Sequence, residues 1–179
     1  MELQRTPESR YSIKKKKGYV SSKTENLFQQ IKREKEKKER QRKNRIGELS
    51  EEKASLALDN LEEKLRLEEL IYFQHDATQK NSAADHNAID HILIFMYPEH
   101  ERTKFQIKNS ETGAKKHKRL YPNIPIVVSR VSKQEIEKSV FLNMEETEKE
   151  ILDKLFGEYF IRNYSQQEYN KFLKKNYGE

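Results

Sequence analysis

The sequence predicts an α/β domain that is preceded by a basic helical arm and followed by further helices. Three observations predict this class. An amphipathic helix is indicated by four apolar residues at steps of three or four, namely Ala54, Leu58, Leu61 and Leu65. Residues 89–96 are the most apolar segment and residues 124–131 are rich in β-branched side chains, which favours strands. Beyond residue 132 the apolar spacing becomes helical again, so the strands lie between helices.

The charge is distributed unevenly along the 179 residues. Sixteen Lys and Arg stand against seven Asp and Glu in the first 48 positions, a local excess of +9 in a chain whose net charge is +6. All the excess positive charge therefore lies in the N-terminal quarter, where it attracts polyanions over a Debye length of about 8 to 10 Å. Nucleic acid is the expected partner.

Other classes of protein are excluded by what the sequence lacks. No apolar run approaches the roughly 20 residues that span a bilayer, so no membrane partner is expected. The N-terminus carries no apolar signal core, and the absence of cysteine excludes a disulfide framework and thiolate metal ligands. These features predict a cytoplasmic protein, or one of another intracellular reducing compartment.

The N-terminal part is predicted to lie outside the compact core. Residues 1–22 have no period and little to bury, which predicts a disordered basic tail. Residues 23–46 carry charges of both signs at i,i+4 spacing, which favours a charged helical arm. Whether that arm is simply solvated or lies on nucleic acid stays open at this point.

The core is predicted to begin where Gly47 interrupts the arm and Ser50 caps a second helix. It extends over residues 47–131, and residues 132–179 form a C-terminal helical extension. Strands are predicted at residues 70–73, 89–96, 104–108 and 124–131, with a loop at 75–87 and a turn at 98–100. Residues 113–121 form a short helix or a loop, and helices follow at 133–143, 145–162 and 166–177.

Three polar residues are predicted to converge on neighbouring strands. Alternate residues of a strand share a face, so Gln106 and Lys108 point the same way. Asp90 begins the preceding strand, and a short hairpin brings it beside that pair. Hard oxygen ligands can hold Mg²⁺, which polarises a phosphate and lowers the pKa of an attacking water. A lysine on the same side can orient that water or stabilise the developing charge.

These residues, in this order along the chain, resemble the motifs of the PD-(D/E)xK nuclease superfamily. Glu51 on the first helix is similar to the acidic residue of its first motif, Ile89-Asp90 to its second and Gln106-Ile107-Lys108 to its third. The resemblance implies a restriction-endonuclease-like αβββαβ core over residues 47–131. It also implies Mg²⁺ or Mn²⁺ at Asp90 and Gln106, with Lys108, Asp90 and Glu51 as catalytic residues.

The expected function is therefore metal-dependent cleavage of phosphodiester bonds in DNA, with RNA less favoured. Eight basic residues are expected to contact the phosphate backbone: Lys14, Lys15, Lys16, Lys17, Lys115, Lys116, Lys118 and Arg119. Because Gln106 stands where the family carries an acid, a catalytically inactive nucleic-acid or protein-binding module, such as an effector, is the alternative. The apolar faces of the C-terminal helices offer a surface for a homodimer, which the sequence does not require.

Structural interpretations of the same residues also stay open. Asp90 is a residue type that caps backbone amides where a strand starts. Gln106 and Lys108 suit the solvated face of an edge strand. Glu51 suits the first turn of a helix, where the helix dipole favours an acid, and Glu48 or Glu52 could take its functional role.

Overall fold

The computed structural model describes residues 22–79, 82–83, 89–138 and 140–178, with side chains from residue 27 onward. The chain divides into two compact units, Met1–Arg40 and Gln41–Glu179. The predicted tail, with Lys14 to Lys17, lies outside the described residues. The second unit contains a four-stranded mixed sheet with helices before and after it, so the chain is a mixed α/β protein.

Helix α1, Ser22–Leu67, is continuous, so the predicted break at Gly47 is wrong. Glycine costs a helix interior only about 1 kcal/mol relative to alanine, which the burial of the following apolar residues outweighs. Leu49 is buried just beyond it, and the predicted stripe at Ala54, Leu58, Leu61 and Leu65 is confirmed as fully buried. Ser50 is an interior helical residue instead of a cap, since its Oγ lies 2.9 Å from the Ile46 carbonyl oxygen.

The sheet has the strand order β1-β2-β3-β4, with strands Tyr72–Ala77, His91–Tyr97, Glu101–Lys108 and Ile126–Val128. The first three are antiparallel, and β4 runs parallel to β3 after helix α2, Glu111–Leu120, makes the crossover. Part of the predicted loop at 75–87 is thus wrong, because His75 and Asp76 pair with Leu93 and Ile92. The turn at residues 98–100 is confirmed.

The helices after the sheet are α3 (Lys133–Lys138), α4 (Met144–Ile151), α5 (Gly157–Asn163) and α6 (Gln166–Tyr177). A π-helical turn, Leu152–Phe156, interrupts the single helix predicted for residues 145–162. Helix α6 has the predicted bounds: the Ser165 side chain accepts a hydrogen bond from Glu168 N, and Gly178 ends the helix in the left-handed conformation. None of the described helices is long and apolar enough to cross a membrane.

The two faces of the sheet have different roles. The register pairs Phe73 with Phe95 and His91 with Phe105, so these side chains share one face. That face belongs to the hydrophobic core formed with the stripe of α1 and with the C-terminal helices, where Phe156 contacts both Phe73 and Phe95. The alternation of β3 puts Gln106 and Lys108 on the opposite face, the one that α2 covers.

A buried ion pair joins helix α1 to helix α3. Lys53 Nζ lies 2.9 Å from Glu135 Oε1, and each side chain is 3% exposed. Lys53 also donates to the Arg130 carbonyl at 2.9 Å, and Glu135 accepts the backbone N–H groups of Ser132 and Leu142 at 2.6 and 2.8 Å. Burial alone would raise the pKa of Glu135, but these hydrogen bonds outweigh it and lower the pKa to about 2.

We expect Glu135→Gln to destabilise the protein by about 3 kcal/mol, because it leaves the Lys53 ammonium buried without a countercharge. The depressed pKa gives stability that is present above about pH 4.5 and is lost as the pH falls toward 2. The variant should therefore be less acid-sensitive over that window. Chemical denaturation at several pH values measures both effects.

The control is Glu137→Gln, which removes one partner of an exposed ion pair with Lys133 on the same helix. It should change the free energy of unfolding by less than about 0.5 kcal/mol. Equal effects of the two substitutions would contradict the importance of the buried pair.

Candidate functional site

Asp90 lies where strand β2 begins, and the backbone around it is held firmly. Its N–H donates to the Phe105 carbonyl at 3.0 Å, which extends the ladder between β2 and β3. The Thr78 hydroxyl lies 2.6 Å from the Ile89 carbonyl oxygen, and Thr78 N donates to the Asp90 carbonyl at 2.8 Å. The Asp90 carboxylate is therefore presented from a fixed backbone.

The Asp90 carboxylate contacts two groups of strand β3. Its Oδ2 accepts a hydrogen bond from Ile107 N at 2.7 Å and another from Gln106 Nε2. The structure thus brings Asp90 and Gln106 together, as the hairpin argument predicted. The bond to Ile107 N also matches the structural interpretation of Asp90 as a cap for a backbone amide.

Gln106 is buried in the middle of the sheet. Strand β3 pairs with β2 on one side and β4 on the other, so the edge-strand interpretation of Gln106 and Lys108 is wrong. Gln106 is 5% exposed, and its Oε1 has no hydrogen-bond partner in the described part of the chain. A buried amide oxygen without a partner is uncommon, because protein interiors satisfy most of their polar groups.

Lys108 is half-buried, and its ammonium makes no hydrogen bond or ion pair with the described residues. Burial lowers the pKa of Lys108, while the negative charges of Asp90 and Glu51 act in the opposite direction. Both carboxylates are therefore within electrostatic range of the ammonium. Glu51, Asp90 and Lys108 come from a helix and two strands, and they converge on one region.

Glu51 faces a cleft of about 350 Å³ beside the start of β2. Its position in the middle of α1 excludes the first-turn interpretation, because the helix begins at Ser22. The neighbouring Ser50 Oγ lies 3.2 Å from Asn109 Oδ1, which also accepts Val131 N at 2.8 Å, so this turn of α1 is tied to the end of β3. The cleft is lined by Glu48, Glu51, Glu52, Ser55, Ala77, Thr78, Asp90 and His91.

His91 is packed at the wall of this cleft. It is 2% exposed and stacks on Phe105 with ring centroids 5.4 Å apart, as expected for a packed histidine. Burial, with a smaller contribution from the nearby His75, lowers the pKa of His91 to about 4. The imidazole is therefore neutral at pH 7, and its Nδ1 has no partner among the described residues.

A second cluster of metal-ligand atoms lies farther along α1. Ligand atoms of Asp59, Glu62 and His75 all lie within 4.8 Å of one another, and His75 Nε2 is 2.9 Å from Asp59 Oδ1. Among the described residues, this is the one group of three His, Asp or Glu side chains whose ligand atoms lie this close together. Sequence analysis missed it, although Asp59 and Glu62 are three residues apart on one helical face.

Helix α2 presents the predicted basic residues to solvent. The side chain of Ser110 caps the helix by accepting a hydrogen bond from Gly113 N, directly after β3 ends. The exposed residues are Lys115, Lys116, Lys118 and Arg119. His117, within the same run, is 8% exposed, and sequence analysis missed its burial because charged residues surround it on both sides.

We expect the stability of the protein to fall between pH 6.5 and pH 4 because of His91. Over this range the unfolded chain binds a proton at this histidine while the folded chain does not, so acid favours unfolding by up to about 3 kcal/mol. His91→Phe keeps the stacked ring and removes the titration, so its unfolding free energy should depend less on pH. Denaturant titrations at pH 7, 5.5 and 4.5 measure the difference.

His100→Phe is the control, because His100 is exposed in the turn before β3. It should reproduce the pH dependence of the wild type. If His91→Phe behaves in the same way as the control, His91 does not carry the acid sensitivity.

Comparison with known proteins identifies no relative from which a function of this site could be inferred. No protein-family model, curated protein or solved structure matches the chain.

Proposed function

We propose that this chain is a metal-dependent nuclease that cleaves phosphodiester bonds in DNA, with RNA the less favoured substrate. The observation that carries the proposal is the contact between Asp90 and Gln106 at the open end of the β2–β3 hairpin, away from its turn. Lys108 is the next residue on the same face of β3. Carboxylate and amide oxygens can hold a metal, and a neighbouring ammonium can stabilise the charge that develops during phosphodiester cleavage.

The order of elements supports a restriction-endonuclease-like core. A helix is followed by three antiparallel strands, a crossover helix and a strand parallel to the third, which is the αβββαβ order that the PD-(D/E)xK resemblance implies. The positions of the three residues that resemble the motifs support the same proposal. Glu51 lies on the first helix, Asp90 at the start of the second strand and Lys108 at the end of the third.

The donor set fits Mg²⁺ or Mn²⁺. Asp90 offers a carboxylate, Gln106 offers a buried amide oxygen that has no partner among the described residues, and Glu51 adds a second carboxylate in the adjoining cleft. Mg²⁺ and Mn²⁺ prefer oxygen ligands of this kind. We propose that Asp90 and Gln106 hold the metal, which when bound polarises the phosphate and lowers the pKa of the attacking water.

Lys108, Glu51 and the basic residues of α2 have roles that their positions support. Lys108 carries an ammonium without a hydrogen bond to the described residues, so it can bind the scissile phosphate or orient the water. Glu51 acts with Asp90 to attract that ammonium by charge. The exposed basic residues of α2 bind the phosphate backbone without reading its sequence.

The alternative is a catalytically inactive nucleic-acid or protein-binding module, such as an effector. One observation favours it: Asp90 Oδ2 already accepts hydrogen bonds from Gln106 and from Ile107 N. A metal at that oxygen competes with both bonds, and Gln106 supplies no compensating charge. The two proposals differ in whether metal-dependent cleavage occurs.

A plasmid-nicking assay with Mg²⁺, Mn²⁺ or EDTA separates them. We expect the wild type to nick DNA only with metal, and Asp90→Ala and Lys108→Ala to lower the rate at least 100-fold, about 3 kcal/mol of lost transition-state stabilisation. Asp90→Asn should have a similar effect, since it removes the charge and leaves the size of the side chain.

The matched controls are Asp76→Ala and Lys104→Ala, which alter exposed residues on β1 and β3. Both should retain the wild-type rate. Equal cleavage by all variants would indicate a contaminating nuclease and reject the site, whereas salt-sensitive binding without cleavage would support the module.

We also expect the basic residues of α2 to set the salt dependence of DNA binding. Replacing Lys115, Lys116, Lys118 and Arg119 by alanine should weaken binding to duplexes of any sequence. Each lost phosphate contact should reduce the slope of log K against log salt by about 0.9. Fluorescence anisotropy between 50 and 200 mM salt measures the slope.

The control replaces four exposed lysines of the C-terminal helices, Lys133, Lys138, Lys171 and Lys174. This variant has the same net charge as the α2 variant. If both variants change the slope equally, DNA binding depends on the net charge of the protein and not on a contact made by helix α2.

A further inference from the structure

His117 is a buried titratable residue that the proposed mechanism does not use. Helix α2 begins directly after β3, and its Gly113 packs on the stem of Lys108: a Cβ built on Gly113 would lie 3.8 Å from Lys108 Cβ and 3.9 Å from Lys108 Cδ. His117 is four residues after Gly113, so it lies one turn farther on the same face of the helix. The Lys108 side chain and His117 therefore belong to the same face of the sheet.

The imidazole of His117 is buried and packed against a tyrosine ring. The residue is 8% exposed, and its ring stacks on Tyr121 with centroids 4.7 Å apart. Its Nε2 is buried and has no hydrogen-bond partner among the described residues. Burial, and then the positive charge of Lys108, lower the pKa of His117, so the ring is neutral at pH 7 and one of its nitrogens can accept a hydrogen bond.

The complementary donor is Lys108. Its ammonium carries three N–H donors on a flexible stem and makes no hydrogen bond with the described residues. Within the described part of the chain, His117 Nε2 lacks a donor and the Lys108 ammonium lacks an acceptor, and both lie on one face of the sheet. The charge of Lys108 also lowers the pKa of His117, after the larger effect of burial.

We propose that His117 is a positioning residue for Lys108, whose ammonium donates a hydrogen bond to His117 Nε2 and is thereby held toward Asp90 during cleavage. This inference rests on the proposed nuclease function and deepens it. His117 restricts the freedom of the lysine stem, so the ammonium reaches the scissile phosphate in a single orientation. A neutral acceptor can do this without adding to the positive charge beside the ammonium.

Single-turnover cleavage tests the role in the reaction. His117→Phe keeps a ring for the stack on Tyr121 and removes the acceptor nitrogen. We expect it to lower the cleavage rate at least 10-fold, while the Kd for DNA and the melting temperature stay at wild-type values. His117→Gln restores a side-chain acceptor and should recover a large part of the rate.

A double-mutant cycle tests whether His117 acts through Lys108. In the Lys108→Ala background, His117→Phe should have no further effect on the rate, because the group it positions is gone. Full additivity of the two substitutions would overturn the inference, and so would an unchanged rate in His117→Phe. His100→Phe is the matched control and should cleave at the wild-type rate.

A measurement without activity tests the contact itself. In protein labelled with ¹⁵N-histidine, the neutral ring of His117 should carry its proton on Nδ1, which leaves Nε2 free to accept, and the Nε2 shift should change in Lys108→Ala. A proton on Nε2 of the neutral ring would overturn the inference. Absence of metal-dependent cleavage in the wild type would instead reject the proposed function, and the spectra would then still decide whether Lys108 and His117 interact.

Discussion

Helix α1 buries one face in the core of the second unit, and the polar groups of the candidate site depend on that packing. The apolar residues from Leu49 to Leu65 on this face are nearly without solvent contact, and they share one core with the sheet and the C-terminal helices. A helix packed in this way cannot rotate about its axis without exposing apolar surface. The polar residues between the apolar ones therefore meet defined partners. Lys53 meets Glu135 in the interior, and Glu51 faces the cleft beside Asp90.

Most of the buried polar atoms that lack a partner among the described residues lie around the same region. The described residues contain five such side-chain atoms, and three of them belong to Gln106, His91 and His117. Gln106 contacts Asp90, His91 lines the cleft, and His117 lies near the charge of Lys108. Unsatisfied groups oppose folding, so a concentration of them is expected where a protein retains chemistry at the expense of stability. The remaining two atoms belong to His75 and Ser129.

The glutamine at position 106 has two opposite physical consequences. Its Nε2 donates a hydrogen bond to Asp90, whereas a carboxylate in that place would repel it. In the absence of a metal, the contact with Asp90 is therefore more stable with glutamine than with an acid at position 106. The cleft beside it is already acidic because of Glu48, Glu51 and Glu52. The same neutral amide leaves the proposed metal site with one negative charge fewer than an acid at position 106 would give it. The two proposals thus differ in which interaction of Asp90 is stronger. If its carboxylate attracts a metal more strongly than it holds its internal hydrogen bonds, the chain is a nuclease; otherwise it is the inactive module.

The sequence by itself determined the features that neighbouring residues encode. The α1 stripe, the bounds of α6 and the alternation of Phe105 and Ile107 with Gln106 follow from the periods of helices and strands. Only the tertiary structure decided that α1 continues through Gly47, that β1 extends to Ala77, and that β3 lies between two strands. These depend on partners far along the chain: buried contacts outweigh a helix-weakening glycine, and β2 supplies the hydrogen bonds for the end of β1. Burial of Gln106 and burial of His117 have the same origin, because the parallel pairing of β4 and the α2 crossover enclose residues that local pattern alone would place in solvent.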